Sequence, residues 1–181
     1  MPADHDTPPL CVWVTTRYSP ADDHYFVMVQ FSDGSTCRLD QARAQAYATE
    51  VLQVATTADH DAAIAKQITT ELGMPQQEMA VLVRELRADR LPLDTNALRP
   101  LTITPGVSVF TGEPFLDCTV GESRWQWTVA DAREHAMHVL GAMAAAVLDT
   151  AYHWFLTSRS GLDRDRATVA VAELTKFLSS P

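Results

Sequence analysis

Asp131, Glu134, His135 and His138 form the densest run of metal-capable side chains in the sequence. Asp131 to His135 and Glu134 to His138 are i, i+4 pairs, and such pairs on a helix lie close enough to touch or to share a cation. Di-iron bundles repeat Glu-x-x-His on more than one helix. That spacing is absent, and the corresponding stretch of the first half, residues 41–48, supplies neither an acid nor a histidine. The four residues are metal candidates by spacing only; a solvated face with ordinary ion pairs is the simpler expectation, without a bound metal or cofactor. Asp149 and His153 make another i, i+4 pair, and Asp59-His60-Asp61 lies within the first long helical stretch. The Asp149–His153 pair is expected on a solvated face, and the Asp59–Asp61 run would need ligands from elsewhere to hold a metal.

Nucleophilic chemistry finds less support. The chain has no Gly-x-Ser-x-Gly elbow, no phosphate-cradling glycine loop and no His-Glu-x-x-His. Cys118 alternates with Leu116 and Val120 along a strand pattern, the position of a buried structural thiol. Cys11, Cys37 and Cys118 are widely spaced and odd in number, which argues against a disulfide framework and for a reducing compartment. Trp13, Trp125, Trp154 and Phe155 are candidates for a partner-binding face, because tryptophan is enriched in interface hot spots. Trp125 and Trp127 fit equally well as the layer between a sheet and its helices.

These residues hang on two similar stretches. Trp125, Trp127 and Val129 alternate with Arg124, Gln126 and Thr128, the pattern of a half-buried strand. Thr128 stands three residues before Asp131, a capping-box-like start. From there Ala132, Ala136, Val139, Leu140, Met143, Val147, Ala151 and Trp154 predict one long helix. The alanines of 142–146 leave room for another backbone, so a second helix is expected to cross there, and leucine at Ala144 or Ala145 is expected to destabilise. In the first half, Asp33-Gly34 signals a hairpin, Asp40 can cap a helix over 41–72, and Gly73 and Pro75 suit its end and the next start.

The order then recurs. Strand patterns at 107–110, 115–120 and 124–129 precede the second long helix, and Gly161 precedes a short closing one. Ala42-Arg43 sets against Ala132-Arg133 and Asp59 against Asp149 at a spacing of 90; Gly73 meets Gly161 after a two-residue shift. The expectation is an α+β protein of two tandem βββαα repeats about a pseudo-two-fold axis, with antiparallel sheet packed on two long helices. Its parts are a flexible arm at 1–9, one repeat at 10–90, a proline-rich linker at 91–105 and a second repeat at 106–181.

Charge bounds the function. The net charge of −9 is shared, −6 in residues 1–90 and −3 in 91–181, with no basic stripe. A conventional nucleic-acid groove is therefore excluded; the acidity favours solubility, with DNA mimicry as the alternative. The start is acidic and polar, unlike a signal peptide, and the apolar run 139–148 is short for a membrane span. A cytoplasmic protein is expected.

The pattern Trp-x-Trp-Thr-x-x-Asp-Ala-Arg-x-x-Ala, over residues 125–140, resembles a strand-to-helix module in small uncharacterised proteins of actinobacteria and their phages. Residues 38–52 carry a second copy without the tryptophans. The resemblance implies no catalytic residues. Together these features favour a non-catalytic interaction or regulatory protein, phage-related by that resemblance, with a protein partner; a homodimer is compatible with them. The rival is an enzyme or small-ligand binder whose site lies between the repeats, marked by an enclosed polar pocket rather than a packed apolar seam.

Overall fold

The computed structural model describes residues 12–88 and 101–179. The protein is α+β, with two three-stranded antiparallel sheets and four helices. The first sheet contains β1 (Val12–Ser19), β2 (His24–Phe31) and β3 (Thr36–Leu39); α1 (Gln41–Leu72) and α2 (Gln76–Ala88) follow. The second contains β4 (Leu101–Val107), β5 (Pro114–Val120) and β6 (Ser123–Thr128), then α3 (Val129–Ser158) and α4 (Arg164–Ser179). Each sheet is a meander with its second strand at the centre. The expected 1–9 arm lies outside the described residues, as does most of the expected linker.

β4 differs from the sequence expectation. The short strand that the sequence offered at 101–104 within the linker runs on to Val107, and Val109 and Phe110, expected to be strand, lie in the following turn. Pro105 is accommodated because β4 is an edge strand, pairing only with β5, so a missing N–H need not interrupt a ladder.

The helix ends have local causes. Asp40 accepts a hydrogen bond from the Arg43 amide at 2.9 Å, and Gly73 closes α1 in the left-handed conformation at φ 63°. Thr128 accepts from the Asp131 amide at 3.1 Å. Neither helix lies chiefly on the sheet that leads into it. α1 crosses to β4 and β5, while α3 crosses to β1 and β2, and the two helices pack on each other. The main core draws Val29, Phe31 and Leu39 together with Val51, Val54, Leu116, Trp127 and Val139, and a smaller cluster of Ala65, Met79 and Val83 lies between α1 and α2.

The seam between the helices is not where the alanine run predicts. Ala44, Ala48, Val51, Ala132, Ala136 and Val139 are fully enclosed, whereas Ala144 is exposed and within 142–146 only Ala146 is buried. The reason is phase: Ala146 keeps the Val139 face, and Ala144 falls on the opposite side of the helix. Ala144→Leu is therefore no longer expected to destabilise the core. α3 is also long and apolar enough, by length and composition, to cross a membrane, a property that residues 139–148 alone do not display.

Candidate functional site

The four metal candidates diverge. Asp131 accepts from the Thr128 hydroxyl at 2.8 Å and stays at the helix start. His135 turns inward, where its Nε2 shares a 2.8 Å hydrogen bond with the Tyr47 hydroxyl and its ring lies 4.8 Å from that of Trp127. Glu134 and His138 remain outside, 3.9 Å apart. The four positions span about 100° of the helix circumference, but His135 lies at the edge that faces the core while the other three are exposed. Among the described residues no three His, Cys, Asp or Glu side chains converge to hold a metal. Burial, with a smaller push from His138, lowers the His135 pKa to about 4, so the imidazole is neutral at pH 7.

The tryptophans separate similarly. Trp125 is buried at 8% exposure, with its ring 6.0 Å from Phe31 and 5.7 Å from Trp127. It belongs to the core, and its indole N–H is buried without a hydrogen-bond partner. Trp13 faces outward from β1, and Trp154 and Phe155 are about half exposed near the end of α3. The Cys118 thiol is buried, which raises its pKa; Cys37 is half-buried and raised for the same reason. Cys11 lies outside the described residues.

Asp149 and His153, expected on a solvated face, are both buried, His153 to 2% exposure. The expectation fails because α4 and the β1–β2 hairpin cover that side of α3. His153 Nδ1 stands 3.7 Å from Asp23, and its Nε2 is 3.3 Å from both the Arg164 carbonyl and the Thr168 hydroxyl. Tyr18 donates to Asp23 at 2.5 Å, and Arg164 reaches the same carboxylate at 3.3 Å. The Tyr18 hydrogen bond is the main cause that lowers the Asp23 pKa. Asp23 itself has φ 55°, a left-handed backbone that Asp tolerates better than most residues.

Thr168, His153 and Asp23 thus stand in the order of a nucleophile, base and acid. The chemistry is blocked. Thr168 donates its proton to the Arg164 carbonyl at 2.9 Å, and the imidazole is closed off from solvent. The arrangement can do something simpler: it ties the hairpin, α3 and α4 together. Nearby, the Tyr25 hydroxyl is buried without a partner and burial raises its pKa to about 12, while burial also raises Asp149. One signal for this cluster was legible in the sequence, the Asp149–His153 spacing, but not its partners Asp23 and Tyr25, which are 124 to 130 residues away.

Two cavities lie between elements of the two halves. One, of about 330 Å³, opens between β2, the start of α1 and the middle of α3, beside Phe26, Leu39, Met143 and Thr150. The other, of about 540 Å³, lies between α1, α2 and the β4–β5 turn, where Lys66, Thr69, Gln76 and Glu113 provide polar groups and Ala62, Ala63 and Ala65 the floor.

An open apolar stripe runs along the far side of α3. Met137, Gly141, Ala144, Leu148, Ala151 and Phe155 are all exposed and recur at alternating steps of four and three. That is the spacing of a helix–helix seam, and it points away from the core. No family model matches the chain, and no curated protein or solved structure matches it either.

Proposed function

We propose that the protein is a non-catalytic interaction or regulatory module, built as two tandem βββαα repeats. The observation that carries the functional reading is the uncovered apolar face of α3. Met137 is 60% and Leu148 59% exposed, and Phe155 continues the same stripe. Monomeric proteins rarely leave so large a contiguous apolar surface without a use for it. The seam between the halves is packed and apolar around the single Tyr47–His135 pair, and the Asp23–His153 cluster is closed to substrate.

The duplication is supported by a register of 88 residues from the long helices onward, in place of the 90 expected for their starts. Asp40 and Thr128 cap the two long helices, Ala48 and Ala136 are both enclosed, Asp61 and Asp149 are both buried, and Val83 and Val171 are both buried. Tyr47 and His135 are equivalent in this register, and they touch each other. Residues that meet their own equivalents must lie on the two-fold axis.

A site-specific photocrosslinking residue at Ala144 tests the functional reading in a bacterial lysate. A discrete adduct is expected there, and none from the same probe at Asp131. Equal, diffuse labelling at both positions would sink the reading. The larger cavity supports a second reading, a small-ligand binder. A metabolite that raises the melting temperature of the parent but not of Ala65→Trp, which fills the cavity, would favour it.

A further inference from the structure

We propose that the outer face of α3 is covered by a second copy of this chain, the two α3 helices running antiparallel about a two-fold axis near residue 146. The inference deepens the interaction reading by naming its partner. The exposed stripe from Met137 to Phe155 is about 27 Å long at 1.5 Å per residue. In an antiparallel pairing centred there, Met137 of one copy meets Phe155 of the other, Gly141 meets Ala151, and Ala144 meets Leu148. Large side chains close the two ends, Gly141 and Ala151 lie inside them, and at the centre each Leu148 fills the space beside the other copy's Ala144, with helix axes about 8–10 Å apart.

Charge points to the same occupant. Between Met137 and Ser158 the only ionisable side chains of α3 besides His138 and Tyr152 are Asp149 and His153, and both are buried on the opposite side. The −9 of each chain therefore stays out of the contact. Glu134 precedes the stripe by one three-residue step and Arg159 follows it; both are exposed. Antiparallel pairing brings Glu134 of each copy beside Arg159 of the other, whereas parallel pairing would set like charges together. The same acidity disfavours the competing occupant, an anionic membrane surface.

The area is adequate. With aromatic side chains offering about 150–250 Å² each, the half-exposed Tyr152, Trp154 and Phe155, with Met137, Val147 and Leu148, leave on the order of 600 Å² of apolar surface uncovered. A standard interface takes about 800 Å² from each partner, so this patch and its polar rim suffice.

Sedimentation equilibrium over a concentration series, using the whole chain, decides it. A reversible dimer is expected. Ala144→Glu, which sets two carboxylates at the centre, should weaken it at least tenfold while leaving the circular dichroism and melting of the monomer unchanged. Glu134→Arg and Arg159→Glu should each weaken it, and the double variant should regain parental affinity; that exchange reads the antiparallel orientation without disturbing the apolar stripe. A monomer at every concentration, or a dimer indifferent to Ala144→Glu, overturns the proposal. So does Ala144-dependent binding to phosphatidylglycerol vesicles by a chain that stays monomeric. A monomer that still gives a discrete Ala144 photoadduct with another protein removes the self-association and leaves the interaction reading standing; loss of both removes both.

Discussion

The two ends of the molecule use one frame and fill it differently. At one end the β1–β2 turn leans on the last third of α3 and the start of α4; at the other the β4–β5 turn leans on the last third of α1 and the start of α2. Ser19 and Ser108 begin the two turns, and the left-handed position is Asp23 at φ 55° in one and Gly112 at φ 75° in the other. Arg164 reaches Asp23 at the first end, and Gln76 reaches the Ser108 carbonyl, at 3.4 Å, at the second. Behind the turns stand His153 and Ala65, both buried. The imidazole, with Tyr18 and Tyr25 against it, closes the first end; the methyl group leaves a 540 Å³ cavity at the second. In the 88-residue register of the proposed duplication, His153 and Ala65 occupy one position, a ring at the clamped end and a methyl group at the hollow one.

The largest expected effect tests the clamp. His153→Ala should cost about 3 kcal/mol in a denaturant melt, since it empties a buried site and strands the groups that faced it. A loss below about 1 kcal/mol would mean that the imidazole is not holding the end together. The Tyr47–His135 contact between α1 and α3 gives an effect of similar size through pH. The folded His135 titrates near 4, below its unfolded value of about 6.5, so the unfolded chain binds the proton more readily. Its contribution is intact above pH 6.5 and is lost as pH falls from there to about 4, on the order of 3 kcal/mol in all. Comparing melts of the parent and His135→Gln across that window isolates the slope. An equal pH dependence in both would refute it.

Filling the hollow end should be cheap. Ala65→Leu faces the cavity and should change stability by less than about 1 kcal/mol. Ala136→Leu, at 0% exposure in the seam, should cost about 1–3 kcal/mol or more. If the two leucines cost the same, the cavity is not available space. The smallest expected effects are at the turns. Asp23→Gly removes a left-handed cost of about 1–2 kcal/mol and loses exposed contacts of similar size, so its melt should fall within about 1 kcal/mol of the parent. Gly112→Ala should lose about 1 kcal/mol or more, because it gains the left-handed strain and its Cβ would collide with Gln76 Nε2, pushing that side chain off the Ser108 carbonyl. A clear gain in stability for Asp23→Gly, by the full left-handed cost, would mean that Asp23 contributes nothing through its side chain.

Local chemistry made much of this architecture legible. Thr128 and Asp40 marked the helix starts, Gly73 marked an end, and alternation around Trp125 and Trp127 placed a strand. Each signal depends on residues within one turn or one strand of each other, so each can be read before the chain is folded. β4 was legible only as a short strand at 101–104, and its continuation was hidden by Pro105, which is harmless because the strand lies at a sheet edge, and edge position is a property of the sheet. Phase along α3 was also written in the sequence, but both of its faces are apolar. Periodicity alone could not say whether Val139 or Leu148 would meet α1.

That choice belonged to tertiary structure. α3 crosses to the other sheet and takes α4 over its end, and this buries Asp149 and His153 while leaving Ala144 and Leu148 outside. The same crossing brings Tyr47 to His135 across 88 residues and Asp23 to His153 across 130. The sequence by itself determined which segments are strands and helices, where the helices start and that a polar i, i+4 pair sits on α3. Only the packed molecule decided which of those polar groups lose their water, because desolvation depends on what covers a face, and the covering elements come from distant parts of the chain.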